Sequence, residues 1–413
     1  MKSSSQGRTV KDRSLLTARA PVATRAQIIP LTGMRAALIS WIVLYHLQPE
    51  LKLLLPSQPL LNLAAAGYVG VDFFFITSGF IIAYNYATRL SPFNLATYRR
   101  FLWLRLARIY PVHLFTLLLV ALLFLAAKVA GSAVTNPEYY SFSSLLQNLF
   151  LVQAWTLPTA FSWNAVSWAV SSEWIAYLLF PLVIAATLRV RSSAATIASI
   201  FFLLWGMTAV CLLLDSSWQA PYGAGSYGLL RIAGEFTAGC LLYNLYVARW
   251  GQQWGQRWEQ KRQWGLLTNI AWIVAVIGSA LLVAHGVGNN PTDESKTFQL
   301  YVLWLTPLYA FAIYALSWQR GTLAKLFSSR LLIAGGKGSY TLYLTHFIVL
   351  IVLRRVVPAE SVVAGNMAVR VLLLIGYIAA MGLVAMITYW LIEEPGRRMM
   401  KSCLPKKPQA DGV

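Results

Sequence analysis

Charge is scarce in this chain. Of its 413 residues only 12% are Asp, Glu, Lys or Arg, while 58% are hydrophobic. A soluble domain carries about 25% charged residues, so a chain this long and this poor in charge is not an ordinary soluble protein. Cysteine is scarce as well. Cys211, Cys240 and Cys403 share no spacing motif, and an odd count excludes a closed disulfide framework. Three cysteines and four histidines without clustered spacing exclude a zinc site, so no metal is expected. Asp and Glu together number 14 against 34 Lys and Arg, giving a formal net charge of +20. That excess does not imply nucleic acid, because the cations are not gathered on one amphipathic face. No internal repeat, separate soluble domain or cleavable signal peptide is expected. Residues 1–27 are polar and basic, with Lys2, Arg8, Lys11, Arg13, Arg19 and Arg25. They read as a disordered cytoplasmic tail, and 399–413 reads as a second basic tail.

What the chain has instead is long apolar runs. A membrane span needs about 20 mostly apolar residues. Such runs fall near 28–49, 65–86, 109–130, 165–188, 194–214, 226–247, 265–285, 298–317, 338–357 and 367–392. The expected fold is therefore all-α, a polytopic transmembrane bundle of about ten spanning helices. Cations mark alternate connections. Arg89, Arg99, Arg100, Arg105 and Arg108 lie in 87–108, Arg189 and Arg191 follow the fourth run, and Arg249, Arg257, Lys261 and Arg262 lie in 248–264. Arg320, Lys325 and Arg330 lie in 318–330, and Arg397, Arg398, Lys401, Lys406 and Lys407 close the chain. The loops 131–164, 215–225 and 286–297 carry almost none. By the positive-inside rule this alternation puts both termini in the cytoplasm. Two features strain the frame. Arg354 and Arg355 fall at the outer end of the ninth run, and the apolar stretch 143–156 is too short to cross, so it reads as re-entrant or interfacial.

Ionisable residues at membrane depth are costly and default to functional candidates. Arg35 and His46 in the first run are eleven residues apart, which puts them on one helical stripe roughly 16 Å apart. A helix-end anchor and a core histidine are the plain alternative. Asp72 in the second run lies near the depth of His46 and is a candidate to orient a histidine; a structural partner for a buried donor is the alternative. Ser78-Gly79 looks like a close-packing or kink site. Arg105 and Arg108 share a helix face, and guanidinium forks suit phosphate oxygens, although topological anchoring also explains such a pair. Glu173 is a second buried carboxylate, beside Ser171. Arg231 and Glu235, spaced i,i+4, read as a self-neutralising structural pair. The ninth run holds Tyr340, Tyr343 and His346. Glu393-Glu394-Pro395 reads as a helix stop at the cytoplasmic face.

Several of these elements occur together and in order: Arg35–ten residues–His46, Phe73-Phe74-Phe75…Ser78-Gly79-Phe80, Arg105-x-x-Arg108-Ile109-Tyr110-Pro111, and Trp168…Ser171-x-Glu173. Arg231…Glu235-Phe236…Gly239, Ser339-Tyr340…Leu342-Tyr343…His346 and Glu393-x-Pro395-x-Arg397 follow. Over about 28–398 this set resembles the membrane-bound acyltransferase-3 family. One departure is Ala169, where the family commonly has Ser after the tryptophan. The resemblance implies an O-acyltransferase that moves an acyl group, commonly acetyl, from acyl-coenzyme A to a hydroxyl of a carbohydrate or lipid-linked glycan. It implies acyl-coenzyme A as co-substrate with no bound cofactor, a multi-pass location in the cytoplasmic membrane, and contact with lipid but not nucleic acid. By resemblance His46 is the central catalytic residue, and Arg35, Arg105 and Arg108 belong to donor binding. Asp72 or Glu173 would support the imidazole. Ser78, Tyr110, Ser171, Tyr340, Tyr343 and His346 would stand in supporting positions, with Tyr340, Tyr343 or Ser171 available as oxyanion donors.

Histidine as general base on the acceptor hydroxyl fits both the residues and the resemblance. The rival from another class is a glycan or lipid transporter or flippase that uses buried His, Asp and Glu as a proton relay. Transporters often show inverted repeats, and none is visible here.

Overall fold

A computed structural model of the protein describes residues 26–53, 57–132, 137–155, 161–218, 227–248, 262–289, 302–357 and 366–404. Regular structure among them is helical throughout, with no strand. The basic tails 1–25 and 405–413 lie outside the described residues.

The helices are α1 (Ile29–His46), α2 (Gln48–Lys52), α3 (Gln58–Ala65), α4 (Gly70–Leu90), α5 (Leu95–Val129), α6 (Phe142–Leu149), α7 (Trp168–Thr187) and α8 (Ser193–Trp218). They continue as α9 (Gly228–Val247), α10 (Arg262–Asn289), α11 (Thr306–Ser317), α12 (Thr322–Phe327), α13 (Arg330–Val356), α14 (Met367–Thr388) and α15 (Glu394–Ser402). The described part of each of the ten expected runs falls on a helix. Among the described residues seven helical stretches are long and apolar enough to cross a bilayer: Gln58–Leu90, Leu95–Val129, Ala165–Thr187, Ser193–Leu214, Gln263–His285, Arg330–Val356 and Met367–Ser402. Three runs fall short of that standard. Helices α1 and α9 have the length, but Arg35 and His46 dilute the first and Arg231 and Glu235 the second. Of the eighth run, 298–317, residues 298–301 lie outside the described residues, and the described part from Val302 to Ser317 is below that length.

Lipid-facing surface is written on the outer helices. Leu118, Leu122 and Leu125 of α5, Phe202 and Leu213 of α8, Leu281 of α10 and Leu372 of α14 are each more than half exposed. Water would not tolerate so much exposed leucine and phenylalanine, whereas hydrocarbon does. This is a multi-pass membrane protein. The inner helices are α1, α4, α9 and α13, and they meet as two pairs at glycines. A Cβ on Gly79 of α4 would stand 2.0 Å from the Phe236 carbonyl oxygen, and one on Gly239 of α9 would stand 2.1 Å from that of Ile76. A Cβ on Gly336 of α13 would stand 1.8 Å from the Thr32 carbonyl oxygen of α1. Small residues let backbones touch where no water drives helices together.

The contacts fix relative directions. In α1 and α13, Thr32 meets Gly336 and His46 meets His346, so the two run parallel. In α4 and α9, Asp72 meets Arg231 and Gly79 meets Phe236, so they too run parallel. Helix α5 runs against the last helices, since the Trp103 indole donates to the Met400 carbonyl while Arg108 meets Glu393.

Two expectations change and a third stands. Arg99, Arg100, Arg105 and Arg108 are not in a connecting segment. They lie on α5, which starts at Leu95 with its N-terminus capped by the Asn94 side chain on the Thr97 amide. At 35 residues α5 is about 52 Å long, well beyond a hydrocarbon core of about 30 Å, so its basic first third has room outside the core. The stretch 143–156 forms the eight-residue α6, then a left-handed Leu151 and a short 3-10 turn. Eight residues span about 12 Å, which fits a re-entrant or interfacial piece and not a crossing. Glu393-Glu394-Pro395 does not stop the helix. A π-turn at Tyr389–Glu393 absorbs the proline as the first turn of α15, and the chain stays helical to Ser402.

Candidate active site

A cavity of about 400 Å³ opens among α1, α4, α5, α7 and α13. Arg35, Arg105 and Arg108 line it together, with Ser78, Glu173, Tyr177, Tyr340 and Tyr343. Those residues come from five helices, so only the tertiary fold assembles them. Arg35 lies 5.9 Å from the Phe74 ring centre, and Arg105 lies 5.5 Å from that of Tyr86. Among the described residues neither guanidinium has an acidic partner within salt-bridge distance, and the Nε of Arg105 is buried without a hydrogen-bond partner. Two unneutralised guanidiniums at one cavity form an anion site.

Arg108 is held differently. Its Nη1 donates to Glu393 Oε1 at 2.5 Å, and Glu393 is fully buried. The Thr341 hydroxyl donates to the other oxygen of Glu393. The arginine is thereby aimed into the cavity from α5 by a carboxylate on the π-turn. Glu393 had read as a helix stop because it sits beside a proline in a basic stretch, and local sequence hides the partner 285 residues away.

Glu173 lines the cavity and accepts from Ser78 Oγ at 2.6 Å. The Tyr340 hydroxyl is spent on the Ile109 carbonyl at 2.6 Å, and Tyr110 reaches the Leu149 carbonyl at 3.3 Å. Ser171 does not face the cavity chemistry at all. It donates to the Leu151 carbonyl at 2.8 Å and accepts from the Ala154 amide at 3.1 Å, so it pins the turn after α6 against α7. His113, buried on α5, fixes the other side of that turn through the Asn148 carbonyl at 2.8 Å. Of the three expected oxyanion donors, Tyr343 alone lines the cavity with its hydroxyl uncommitted among the described hydrogen bonds.

Tyr343 also leads to the histidines. Its ring centre is 6.1 Å from that of His346, and His346 Nε2 is 3.2 Å from His46 Nδ1. His346 is fully buried, while His46 is half-buried at the end of α1. The ring of Phe347 and that of Tyr45 flank His46 at 5.2 and 4.9 Å. Arg354 holds this end of α1 in place. Its Nη2 donates to the His46 carbonyl at 2.9 Å, and its Nε lies 2.7 Å from Glu50. This accounts for one of the two cations that strained the inside rule: Arg354 is paired and caps the helix carrying His46. The violation itself was the only signal in the sequence.

Neither expected carboxylate reaches His46. Asp72 is bound by Arg231 instead, through Nη2 at 2.6 Å and Nε at 3.1 Å. The expected Arg231–Glu235 pair is therefore corrected to Arg231–Asp72, between α9 and α4. Glu235 is buried beside the same aspartate. Trp168 covers the pair with its ring 5.4 Å from the Arg231 guanidinium. No group of His, Cys, Asp and Glu among the described residues is arranged to hold a metal.

This arrangement can be set against known proteins. The family described as "Acyltransferase domain", acyltransferase 3, matches residues 29–392. The chain belongs to the acyltransferase 3 family. Acyltransferase MdmB of Streptomyces mycarofaciens is 34% identical over 125 residues, covering 30% of each chain. A protein of Staphylococcus aureus whose name, O-acetyltransferase, is itself provisional is 22% identical over 336 residues, covering 78% of this chain and 50% of its own. Protein 2 in the picA locus of Rhizobium radiobacter is 31% identical over 118 residues, covering 27% of this chain and 59% of its own. The alignments thus span between about a third and somewhat over half the length of these relatives. No solved structure matches. The family match starts at the first residue of α1 and runs to the π-turn, so both histidines and all three cavity arginines fall inside the acyltransferase 3 region.

Proposed function

We propose that this protein is an O-acyltransferase of the cytoplasmic membrane, taking an acyl group, most simply acetyl, from acyl-coenzyme A to a hydroxyl of a carbohydrate or glycolipid. One observation carries the reading: a cavity walled by three arginines is also lined by Tyr343, whose ring lies 6.1 Å from His346 of a hydrogen-bonded histidine pair. Arginines at one end suit the phosphates of coenzyme A. The pantetheine arm would extend from the cavity past Tyr343 toward His46, about 16 Å from Arg35 along α1. On this reading the arginine end faces the cytoplasm, both termini are cytoplasmic and the crossings number ten. The parallel pairing of the first run with the ninth, and of the second with the sixth, supports that frame, because alternate crossings must point the same way.

In the proposed reaction the free ring nitrogen of His46 takes the proton of the acceptor hydroxyl. The oxygen attacks the thioester carbonyl, the carbon–sulfur bond breaks, and the coenzyme A thiolate leaves and is reprotonated. Tyr343 is the donor suited to the oxyanion. General-base help of this kind supplies about 10²–10⁴-fold. Direct transfer requires no acyl-enzyme. Transport is less well supported, because Asp72, one of the groups a proton relay would need, is tied to Arg231. The test is incubation of membranes with labelled acetyl-coenzyme A and candidate glycan acceptors, comparing wild type with His46→Ala. Transfer at an unchanged rate in the variant would remove His46 from the chemistry.

A further inference from the structure

The hydrogen bonds around the histidine pair determine which nitrogens carry protons, and we infer from them that His346 is a positioning residue that sets the tautomer of His46. The inference rests on His46 being the base of the proposed reaction.

His346 Nδ1 lies 3.0 Å from the Leu342 carbonyl oxygen, and His46 Nδ1 lies 3.0 Å from the Ile42 carbonyl oxygen. A carbonyl oxygen only accepts, so each Nδ1 must present a proton to it. With its proton on Nδ1, neutral His346 has a bare Nε2. That lone pair points at His46 Nδ1, 3.2 Å away, whose proton it shares with the Ile42 carbonyl. The reverse arrangement, His346 Nε2–H donating to His46, would leave both Nδ1 lone pairs facing carbonyl lone pairs at 3.0 Å. It loses both carbonyl hydrogen bonds and only reverses the one between the rings, inside a site where His346 is fully buried and cannot turn to water for another partner.

The consequence falls on His46. Its proton is fixed on Nδ1, so Nε2 is left as a lone pair, the form a general base requires. When Nε2 takes the hydroxyl proton, His46 becomes an imidazolium, and its Nδ1–H bond to His346 becomes charge-assisted. A buried neutral histidine thus does for His46 what a carboxylate does in the familiar triads: it selects the tautomer and steadies the ion that forms. It does so without a full negative charge in the membrane. The nearest guanidinium, Arg354, meets the His46 backbone carbonyl and Glu50, not the ring. Tyr45, Tyr343 and Phe347 supply the remaining walls.

Two measurements decide this. The first needs no variant and no activity: nitrogen-15 solid-state NMR of histidine-labelled wild type in bilayers, with the His46 signals assigned by their loss in His46→Ala. A protonated Nδ1 and unprotonated Nε2 are expected at neutral pH; a protonated Nε2 overturns the inference even if the protein is an acyltransferase. The second is a substitution series at His346 in the acetyl-coenzyme A assay. His346→Leu removes the acceptor and should lower kcat roughly 10²-fold, at the lower end of general-base effects, with KM for the donor little changed. His346→Gln offers a carbonyl oxygen near the position of Nε2 and should recover about tenfold of that loss. A Leu variant with wild-type kcat overturns the positioning role. So does a Gln variant no better than Leu when both melt at the wild-type temperature.

Discussion

Helices α4 and α9 and helices α1 and α13 form two parallel pairs, each closed at a glycine and each carrying ionisable side chains at membrane depth. The first pair satisfies its main charge internally. Arg231 binds Asp72 with both groups at most 1% exposed, and Trp168 seals them. The second pair leaves its groups open. Arg35 faces a cavity without an acidic partner, and His46 keeps one ring nitrogen outside its hydrogen bonds to Ile42 and His346. Burial of charge is thus not the mark of function here. The mark is a charge or base that faces a cavity, or keeps a free lone pair, with no partner among the described residues, because that gap is what a substrate fills.

Substitutions should split along the same line. The largest effect is expected for His46→Ala, a loss of about 10²–10⁴-fold in acyl transfer with the same amount of folded protein in the membrane. Arg231→Leu is the counterpart. It strands Asp72 and Glu235 in the core, and breaking a buried pair from one side costs about 3–5 kcal/mol. A sharply lower melting temperature in detergent is expected, with turnover per surviving molecule close to wild type. If Arg231→Leu instead melted normally and lost turnover, the α4–α9 pair would belong to the site and the distinction would collapse. Gly239→Leu should behave like Arg231→Leu, since its side chain would enter the Ile76 backbone. Size-exclusion profiles of the purified variant would show the loss.

The helices were legible in the sequence because each long apolar run has one stable form in a bilayer, and the described part of each of the ten runs is helical. Arg35, Arg105, Arg108, Glu173 and Tyr343 were legible as candidates because each is polar where polarity is costly, and they line one cavity. Partners were not legible. Asp72 read either as a support for His46, on depth alone, or as a structural partner for a buried donor; it is the second, bound by Arg231, and depth says nothing about which face of which neighbour a side chain meets. Arg231 lies 159 residues from Asp72, and Glu393 lies 285 from Arg108. Ser171 misled for a related reason: a serine near a carboxylate looks chemical, yet its hydroxyl holds the turn at Leu151 and Ala154. Ser171→Ala should accordingly cost about 1–3 kcal/mol of stability through the stranded Ala154 amide. Thermal unfolding would register that, and donor KM would not move.

The smallest expected effects sharpen the contrast within the cavity itself, between two arginines one helical turn apart. Among the described residues Arg105 has no acidic partner, so Arg105→Ala removes what it offers a ligand and its packing on the Tyr86 ring, but strands no charge. One charge-assisted hydrogen bond contributes about 1.5–3 kcal/mol. Solvent reaching the half-buried cavity weakens that, so KM for acetyl-coenzyme A should rise about tenfold with kcat and melting temperature unchanged. Arg108 carries the fully buried Glu393 as well. Arg108→Ala should therefore raise KM by a similar factor and also lower the melting temperature, because Glu393 keeps only its bond from Thr341. Adding Glu393→Gln to Arg108→Ala removes the stranded carboxylate. The double variant should recover stability without recovering donor affinity. If it recovered both, the arginine would matter to the fold alone, and donor binding would rest on Arg35 and Arg105.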